Sequence, residues 1–266
     1  DYDKVILSGA QARKELSGIG PSIESTIDEY ISSGKVQRLI ELEDQFTDRK
    51  QIIDYFRSFY GIGPVTAVNF YNQGFRTLED LWYKANLNDA QKLGIIWRDH
   101  IDQRITRDEM LMINDKIAEH LNPYGINFVI AGSYRREEPS SGDIDVLVES
   151  REDINMENLI AVLQPLLPAT LALGLAMYRG IIQLSDAYVG HRVDIRLIPP
   201  SNWYPALMYF TGSQHFNILM RQRAIDLGYT LNEYGLYKQN VAQPVTSEED
   251  IFKILRVRHV GFWGFG

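Results

Sequence analysis

The chain has 266 residues, of which 45% are hydrophobic and 23% charged, as in an ordinary soluble globular protein. It has no apolar run long enough to span a membrane and no signal peptide, and the absence of cysteine excludes disulfides and thiolate metal sites. The net charge of −8 excludes a generally basic nucleic-acid binder, so any affinity for DNA would have to come from local contacts.

The first part of the chain contains an internal repeat. Gly-Ile-Gly-Pro occurs at Gly18–Pro21 and again at Gly61–Pro64, a separation of 43 residues, and a helical segment follows each copy. Two glycines allow a tight turn, proline suits the first position of a helix, and the free amides of the helix N-terminus can bind a phosphate. The repeat therefore predicts two tight turns, each of which opens a helix and presents its N-terminal amides to a phosphate. A helical packing repeat without a ligand is the alternative.

The segment from Ala85 to Leu121 has the apolar spacing of helices. The residues at this spacing are Met110, Ile113, Ile117 and Leu121. We expect Ile105, Met110 and Met112 to belong to the hydrophobic core rather than to a binding surface.

A pair of carboxylates follows in the stretch GSYRREEPSSGDIDVLV, from Gly132 to Val148. The apolar residues 128–130 predict one strand that runs into Gly132, and Ile144 to Val148 predict a second. Residues two apart on a strand point to the same face, so Asp143 and Asp145 would lie side by side. Carboxylates this close repel unless a cation lies between them, and Mg²⁺ binds such a pair together with substrate phosphates. The Gly-Ser turn and the arginines Arg135 and Arg136 would suit a triphosphate opposite the metal. A strand that ends in a solvated acidic turn is the alternative.

A third carboxylate is offered by HRVDIRLIP, from His191 to Pro199. Hydrophobic and charged residues alternate there, which predicts a half-buried strand with Asp194 on its charged face. A salt-bridged surface strand is the alternative. MYRGIIQL, from Met177 to Leu184, predicts the preceding strand, and only the six residues SDAYVG join the two.

The last segment is rich in aromatic residues. We expect Trp203 and Tyr204 to be core residues, whereas Tyr209 and Phe210 precede a Thr-Gly break that would present them at a cleft. Ser247 begins a capping-box pattern that predicts the start of the final helix.

Three motifs together, GSYRREEPSSGDIDVLV, RVDIRLIP and YFTGSQHFNILMR, resemble the family X DNA polymerases of the beta and lambda type. Their order and spacing are close to those of the family, and the resemblance extends from about Ser8 to Leu255. It implies an α+β fold, with a nucleotidyltransferase palm (a mixed β-sheet with covering helices) and helical helix-hairpin-helix DNA-binding domains. The implied domains are a truncated lyase-like domain with the first hairpin (1–46), a DNA-binding domain with the second hairpin (47–105), a palm with the catalytic carboxylates (106–200) and a nucleotide-binding domain (201–266).

The resemblance implies a reaction as well. The protein would add a dNTP to a primer 3′-hydroxyl under the direction of a template strand and would thereby fill short gaps during DNA repair. The reaction would use two Mg²⁺ ions, for which Mn²⁺ can substitute. Asp143 and Asp145 would hold both ions, and Asp194 would hold the ion that activates the 3′-hydroxyl.

Further contacts follow from the same resemblance. The dNTP would be bound by Gly132, Ser133, Arg136, Gly142, Tyr209, Phe210, Gly212 and Asn217. Tyr209 and Phe210 would exclude a ribose 2′-hydroxyl, and Arg221 would contact the template base. Na⁺ or K⁺ would be held against a DNA phosphate by the backbone at Gly61, Ile62 and Gly63 and at Gly18, Ile19 and Gly20.

The chain departs from the family pattern at two places. Thr26 stands where the family has the lysine that forms a Schiff base with an abasic sugar, and a hydroxyl cannot form one, so we expect no dRP lyase activity. The short SDAYVG connection stands where template-independent relatives have a long loop, which favours templated synthesis.

We also hypothesise a closing switch built on Arg196. Its guanidinium would form a bidentate pair with Asp145 in competition with Mg²⁺. When the nucleotide-binding domain closes, Glu233 and Tyr234 would draw Arg196 away and free Asp145 for the metals.

The expected partners are gapped or primer–template DNA, dNTP and repair proteins, with no membrane, and we expect a monomer. Residence would be nuclear in a eukaryote and otherwise intracellular, including a viral or cytoplasmic setting. Two other interpretations remain open: another nucleotidyltransferase, such as a template-independent one, and a non-catalytic DNA-end scaffold. The first residue is Asp1 rather than Met, so a fragment of a longer protein is possible, and the closing GFWGFG has no assigned role.

Overall fold

The computed structural model describes residues 5–257, without the side chains of residues 42–45. The chain folds as two compact units, Asp1–Leu87 and Asn88–Gly266. The closing GFWGFG lies outside the described residues. The predicted division into four domains stays a prediction. In the described part of the chain, no helix has the length and apolar character that crossing a membrane requires.

The first unit is built from helices in its described residues. They are α1 (Gly9–Glu15), α2 (Pro21–Ser33), α3 (Gln37–Arg57), α4 (Pro64–Asn72) and α5 (Leu78–Lys84). α1 packs against α2, and α3 packs against α4. Phe56, Phe59, Phe70 and Leu81 are buried in this unit.

The two Gly-Ile-Gly-Pro turns have the same conformation. Gly18 and Gly61 have φ angles of 85° and 81°, in the left-handed region that favours glycine. Gly20 and Gly63 are extended N-cap residues, and proline begins the next helix in both copies, as predicted. Each turn thus joins two helices that pack against each other, as in a helix-hairpin-helix module.

The second unit combines helices with three sheets. Its helices are α6 (Asp89–Ile96), α7 (Arg98–Ile101), α8 (Arg107–Leu121), α9 (Gly132–Arg135), α10 (Met156–Leu163), α11 (Trp203–Thr211), α12 (Gln214–Asp226) and α13 (Glu248–Ile254), with 3₁₀ turns at Asn122–Tyr124, Gln164–Leu166 and Pro200–Asn202. Its strands are β1 (Ile105–Thr106), β2 (Phe128–Ile130), β3 (Ser140–Ser141), β4 (Ile144–Glu149), β5 (Ala169–Leu173), β6 (Met177–Ile182), β7 (His191–Ile198), β8 (Tyr229–Asn232), β9 (Gly235–Lys238) and β10 (Val241–Ala242).

The central sheet has the strand order β2-β4-β7-β6-β5. β4 and β7 are parallel and the other neighbours are antiparallel, so the sheet is mixed. α8 and α10 bury one face of it, where Ile144, Val146, Val193 and Ile195 join the main core. Because strand residues alternate between faces, Asp145 and Asp194 lie on the opposite face. The predicted α+β class, with a mixed sheet and covering helices, is confirmed.

A smaller core supports the end of the chain. The sheet β10-β9-β8 packs with α12 and α13 around Met220, Leu231 and Ile251. The predicted start of the last helix is confirmed, because the hydroxyl of Ser247 accepts a hydrogen bond from the amide of Asp250.

Two predictions for Ala85–Leu121 were wrong, the helical conformation of Ile105 and the core position of Met112. Ile105 is buried, but it lies in β1, which pairs with β3 at Ser141, because Thr106 is the N-cap at which α8 begins. Met112 is 39% exposed and not a core residue, since it lies off the buried stripe of α8.

Strand ends also differ from the predicted ones. β6 ends at Ile182, so the connection to β7 has eight residues, 183–190, rather than six. β5, which forms one edge of the central sheet, was not predicted at all.

Trp203 and Tyr204, which we expected in the core, are only partly buried, although Trp203 packs on a core cluster.

Candidate active site

The pairing of β4 with β7 brings two of the predicted carboxylates together. Asp145 lies directly opposite Asp194 across the parallel pair, and both side chains are on the face left open by α8 and α10. Asp143 comes just before β4 and is the more exposed carboxylate. The side chains of Asp145 and Asp194 keep 26% and 28% of their exposure, so both stay accessible from the open face.

Arg196 bridges this carboxylate pair. Its Nη1 lies 2.9 Å from Oδ1 of Asp145 and its Nη2 lies 2.9 Å from Oδ2 of Asp194. The contact with Asp145 was predicted, but the expected bidentate pair was wrong, because the two ends of the guanidinium bind different carboxylates. The guanidinium carbon also lies 4.4 Å from the ring centroid of Phe210.

The other half of the proposed switch lies elsewhere in the second unit. Glu233 and Tyr234 form the turn between β8 and β9, and the side chain of Tyr234 is exposed. In the described part of the chain, the hydrogen bonds of Arg196 go to the two carboxylates and not to this turn. The closing switch therefore stays a prediction.

Two more arginines pair with the carboxylates of the site. Nη2 of Arg192 lies 3.0 Å from Oδ2 of Asp143, and Nε of Arg179 lies 3.3 Å from Oδ2 of Asp194. Sequence reasoning assigned no role to either arginine. Arg192 and Arg196 alternate with Asp194 on one face of β7, a pattern that could have suggested this pairing.

Burial raises the pKa of Asp145 above its usual value. The guanidinium of Arg196 lowers that pKa, while the neighbouring charges of Asp143 and Asp194 raise it again. The site therefore concentrates negative charge where solvent stabilises it poorly, and such a site favours a bound cation.

The three carboxylates fit a divalent metal by the chemistry of their donors. They offer oxygen ligands, which hard ions such as Mg²⁺ prefer. In the arrangement described for residues 5–257, no three acidic or histidine side chains converge closely enough to hold an ion together. Arg196 occupies Oδ1 of Asp145 and Oδ2 of Asp194, so its guanidinium would compete with a metal for these two oxygens.

Gly132 begins a single helical turn beside Asp145. Its φ is +58°, and a Cβ at this position would lie 3.3 Å from Oδ2 of Asp145, closer than most side chains allow. The amide of Ala131 donates to the carbonyl of Asp145, and the hydroxyls of Ser133 and Ser141 are hydrogen-bonded at 2.8 Å. Glycine at position 132 therefore lets the chain pass close to the carboxylate.

A cavity of about 600 Å³ opens at this point. The residues of its lining for which the sequence predicted a role are Gly132, Ser133, Arg136, Gly142, Asp143, Asp145, Tyr209, Phe210, Gly212, Asn217 and Arg221. The structure thus brings together every predicted nucleotide contact, two of the three carboxylates and the predicted template contact. Asp194 and Arg196 lie beside the cavity rather than in its lining. The roles of these residues stay predictions.

Hydrogen bonds fix one wall of the cavity. Nη1 of Arg136 lies 2.7 Å from the carbonyl oxygen of Thr211, and Nδ2 of Asn217 lies 2.7 Å from that of Tyr209. Arg135, the other arginine of the motif, makes a bidentate pair with Glu248 and also donates to the hydroxyl of Thr211. Arg135 therefore attaches α9 to α11 and α13, and only Arg136 lines the cavity.

Sequence reasoning missed Arg104. This residue lines the cavity, its Nη2 lies 2.7 Å from the carbonyl oxygen of Ser140, and it packs beside Gly142. The pairing of β1 with β3 brings it there from 36 residues away in the sequence. Thr211, Ser213, Gln214 and Ile218 also line the cavity without having been assigned a role.

Comparisons with known proteins agree with this geometry. Residues 104–200 match the DNA polymerase beta palm, residues 206–260 the DNA polymerase beta thumb, and residues 54–101 the fingers domain of DNA polymerase lambda.

The chain is also similar to individual DNA polymerases. The chain is 30% identical to DNA polymerase lambda of Rattus norvegicus over 94% of its own length and 47% of the relative's. It is 31% identical to DNA polymerase lambda of Arabidopsis thaliana, over 84% of the chain and 45% of the relative. It is 21% identical to the DNA polymerase type-X family protein pol4 of Schizosaccharomyces pombe, over 96% and 55%. The chain thus spans about half the length of these relatives. With the carboxylate site and three matched polymerase domains, it belongs to the family X DNA polymerases.

Proposed function

We propose that this protein is a template-dependent DNA polymerase that fills short gaps in DNA repair. It would add a dNTP to a primer 3′-hydroxyl and release pyrophosphate. The observation that carries the proposal is the register of β4 and β7, which sets Asp145 opposite Asp194 at the edge of a cavity lined by polar and aromatic residues.

Asp143, Asp145 and Asp194 would hold two Mg²⁺ ions, for which Mn²⁺ can substitute. When bound, the ions would lower the pKa of the attacking hydroxyl and stabilise the charge of the in-line transition state. Asp143 and Asp145 line the cavity, so they would serve the ion of the triphosphate as well as that of the hydroxyl. Asp194 would serve only the latter.

The protein side chains would orient the nucleotide. Ser133, Arg136 and the backbone at Gly142 face the same space, where donors to a triphosphate are required. Arg104 stands on the same wall and adds a fourth donor. A triphosphate bound there would have its γ end away from Asp194 and its α-phosphate toward it, as an in-line attack requires.

Sugar and base selection would fall to the residues of α11 and α12. The rings of Tyr209 and Phe210 meet edge to face, with centroids 5.1 Å apart, and this contact would hold both rings beside the sugar. Asn217 and Arg221 share one face of α12, as residues four apart do, and would read the new base pair.

The first unit would hold the DNA backbone through its two turns. A Cβ at Gly18, Gly20 or Gly63 would meet no other atom within 4 Å, so no side chain crowds the turns at these three glycines, which supports binding of a phosphate and of Na⁺ or K⁺ there. Lyase chemistry is not part of this proposal, because Thr26 is an exposed hydroxyl bonded to the carbonyl of Ser22 and cannot form a Schiff base.

Cellular context is also a proposal. The similar DNA polymerase lambda proteins come from eukaryotes, which supports a nuclear repair role with repair proteins as partners and gapped or primer–template DNA as substrate. The chain would act as a monomer.

Primer extension on gapped, nicked and unpaired-end DNA, with dNTP and rNTP compared, tests the proposal. We expect templated addition of dNTP on gapped DNA. Addition to an unpaired end without a template would favour a template-independent nucleotidyltransferase instead, although the eight-residue connection between β6 and β7 argues against a template-mimicking loop. DNA binding without any extension would favour an end scaffold.

A further inference from the structure

Arg179 is aligned with the two central carboxylates. On the open face of the central sheet, β6 pairs Arg179 with Asp194, and β7 pairs Asp194 with Asp145. Arg179, Asp194 and Asp145 therefore form one row across three neighbouring strands, which lie about 4.8 Å apart. Neither the lining of the cavity nor the sequence motifs assign this arginine a role.

The row has a direction relative to the cavity. Asp145 lines the cavity, Asp194 lies one strand away from it, and Arg179 lies a further strand away. A nucleotide in the cavity would reach Asp194 from the β4 side. The hydroxyl that attacks it must then approach from the β6 side, since an in-line displacement places nucleophile and leaving group on opposite sides of the phosphorus.

Arg179 is weakly held where it stands. Its pair with Asp194 is made through Nε alone at 3.3 Å, and its side chain is 42% exposed. Asp194 has a shorter bond at 2.9 Å from Arg196. An exposed ion pair of this length contributes little to folding. The Nη groups of Arg179 have no hydrogen-bond partner among the described residues, and two such donors match the geometry of a phosphate.

We propose that Arg179 binds a backbone phosphate of the acceptor strand, next to the nucleotide whose 3′-hydroxyl reacts. This inference rests on the proposed polymerase function. Its Nη groups would bind the phosphate while Nε stays paired with Asp194, so the contact would need no metal. Arg179 would then position the reacting end without touching the reacting atoms.

Binding of gapped DNA at different salt concentrations tests the contact without any reaction. Each phosphate contact contributes about 0.9 to the slope of log affinity against log salt. Arg179→Gln should therefore bind DNA with a slope smaller by about 0.9, which is a difference of about 3.5-fold over the range from 50 to 200 mM salt. The measurement needs neither dNTP nor a divalent ion, and Arg179→Lys should keep the slope of the unaltered protein.

Lys116→Gln is the matched control. Lys116 is likewise exposed and paired with a carboxylate, Glu119, but it lies on α8, which covers the other face of the sheet. It should leave the slope unchanged. Equal slopes for Arg179→Gln and the unaltered protein would overturn the inference, as would an equal loss in Lys116→Gln.

Replacing one phosphate of the DNA by a neutral methylphosphonate shows which strand Arg179 contacts. Placed at one of the last two linkages of the primer, it should weaken binding by the unaltered protein and cause no further loss in Arg179→Gln. The same group in the template strand should weaken both proteins equally. Additive losses at the primer linkages would overturn the inference while leaving the proposed function intact. Failure of the unaltered protein to extend any primer would instead refute the function.

Discussion

Removal of Arg196 tests whether this arginine substitutes for a metal ion. In Arg196→Ala, Asp145 and Asp194 face each other on adjacent strands without the guanidinium that bridges them. Two charges about 4.8 Å apart at an effective dielectric constant of about 20 repel by about 3.5 kcal/mol. Arg179 and Arg192 remain and both carboxylates keep some solvent, so we expect a net loss of about 2 kcal/mol in the free energy of unfolding.

Magnesium should remove most of that deficit. In thermal unfolding with EDTA present, the Tm of Arg196→Ala should be about 4–8 °C below that of the unaltered protein. In 10 mM Mg²⁺ the difference in the free energy of unfolding between the two proteins should fall below about 1 kcal/mol, because the variant binds the ion without first displacing an arginine. Arg151→Ala is the control, since it breaks an exposed pair with Asp153 and its effect should not depend on Mg²⁺. An equal deficit of Arg196→Ala with and without Mg²⁺ would refute the reasoning.

Three further predictions concern the sugar, the lyase and the switch. Tyr209→Ala should raise rNTP incorporation without a comparable gain for dNTP, and an unchanged ratio of kcat/KM would exclude Tyr209 from sugar selection. Borohydride trapping on an incised abasic site should give no covalent adduct, since Thr26 supplies no amine; efficient trapping would show that another lysine serves. Glu233→Lys should cut pre-steady-state extension severely while sparing DNA binding, and Arg196→Ala should rescue part of the loss. If the double variant is no faster, the switch is wrong and Glu233 matters for another reason.

Local chemistry explains what could be predicted from the sequence. The Gly-Ile-Gly-Pro turns need no distant partner, because a glycine with positive φ and a proline at the helix start are set by the residues themselves. Alternation along β7 likewise fixed the face of Asp194, and the face of Asp145 followed from the strand period.

What was missed depends on contacts between distant parts of the chain. Arg104 reaches the cavity only through the pairing of β1 with β3, and Arg135 is drawn from the cavity by Glu248, 113 residues later. The bridging position of Arg196 could not be foreseen, because it depends on how far apart two strands hold their carboxylates. β5 was missed since an edge strand has a weak alternation of its own.

Asp194→Ala tests most directly whether Asp145 and Asp194 on two neighbouring strands, with Asp143 just before β4, perform metal-dependent nucleotidyl transfer. Single-turnover extension of a gapped primer should fall by about 10³-fold or more, because the metal at the attacking hydroxyl contributes several kcal/mol. Binding of dNTP should be largely kept, since Asp194 lies outside the lining of the cavity, whereas Asp145→Ala should lose both. Asp153→Ala, at a surface carboxylate, should change neither. A near-normal single-turnover rate for Asp194→Ala would contradict the account.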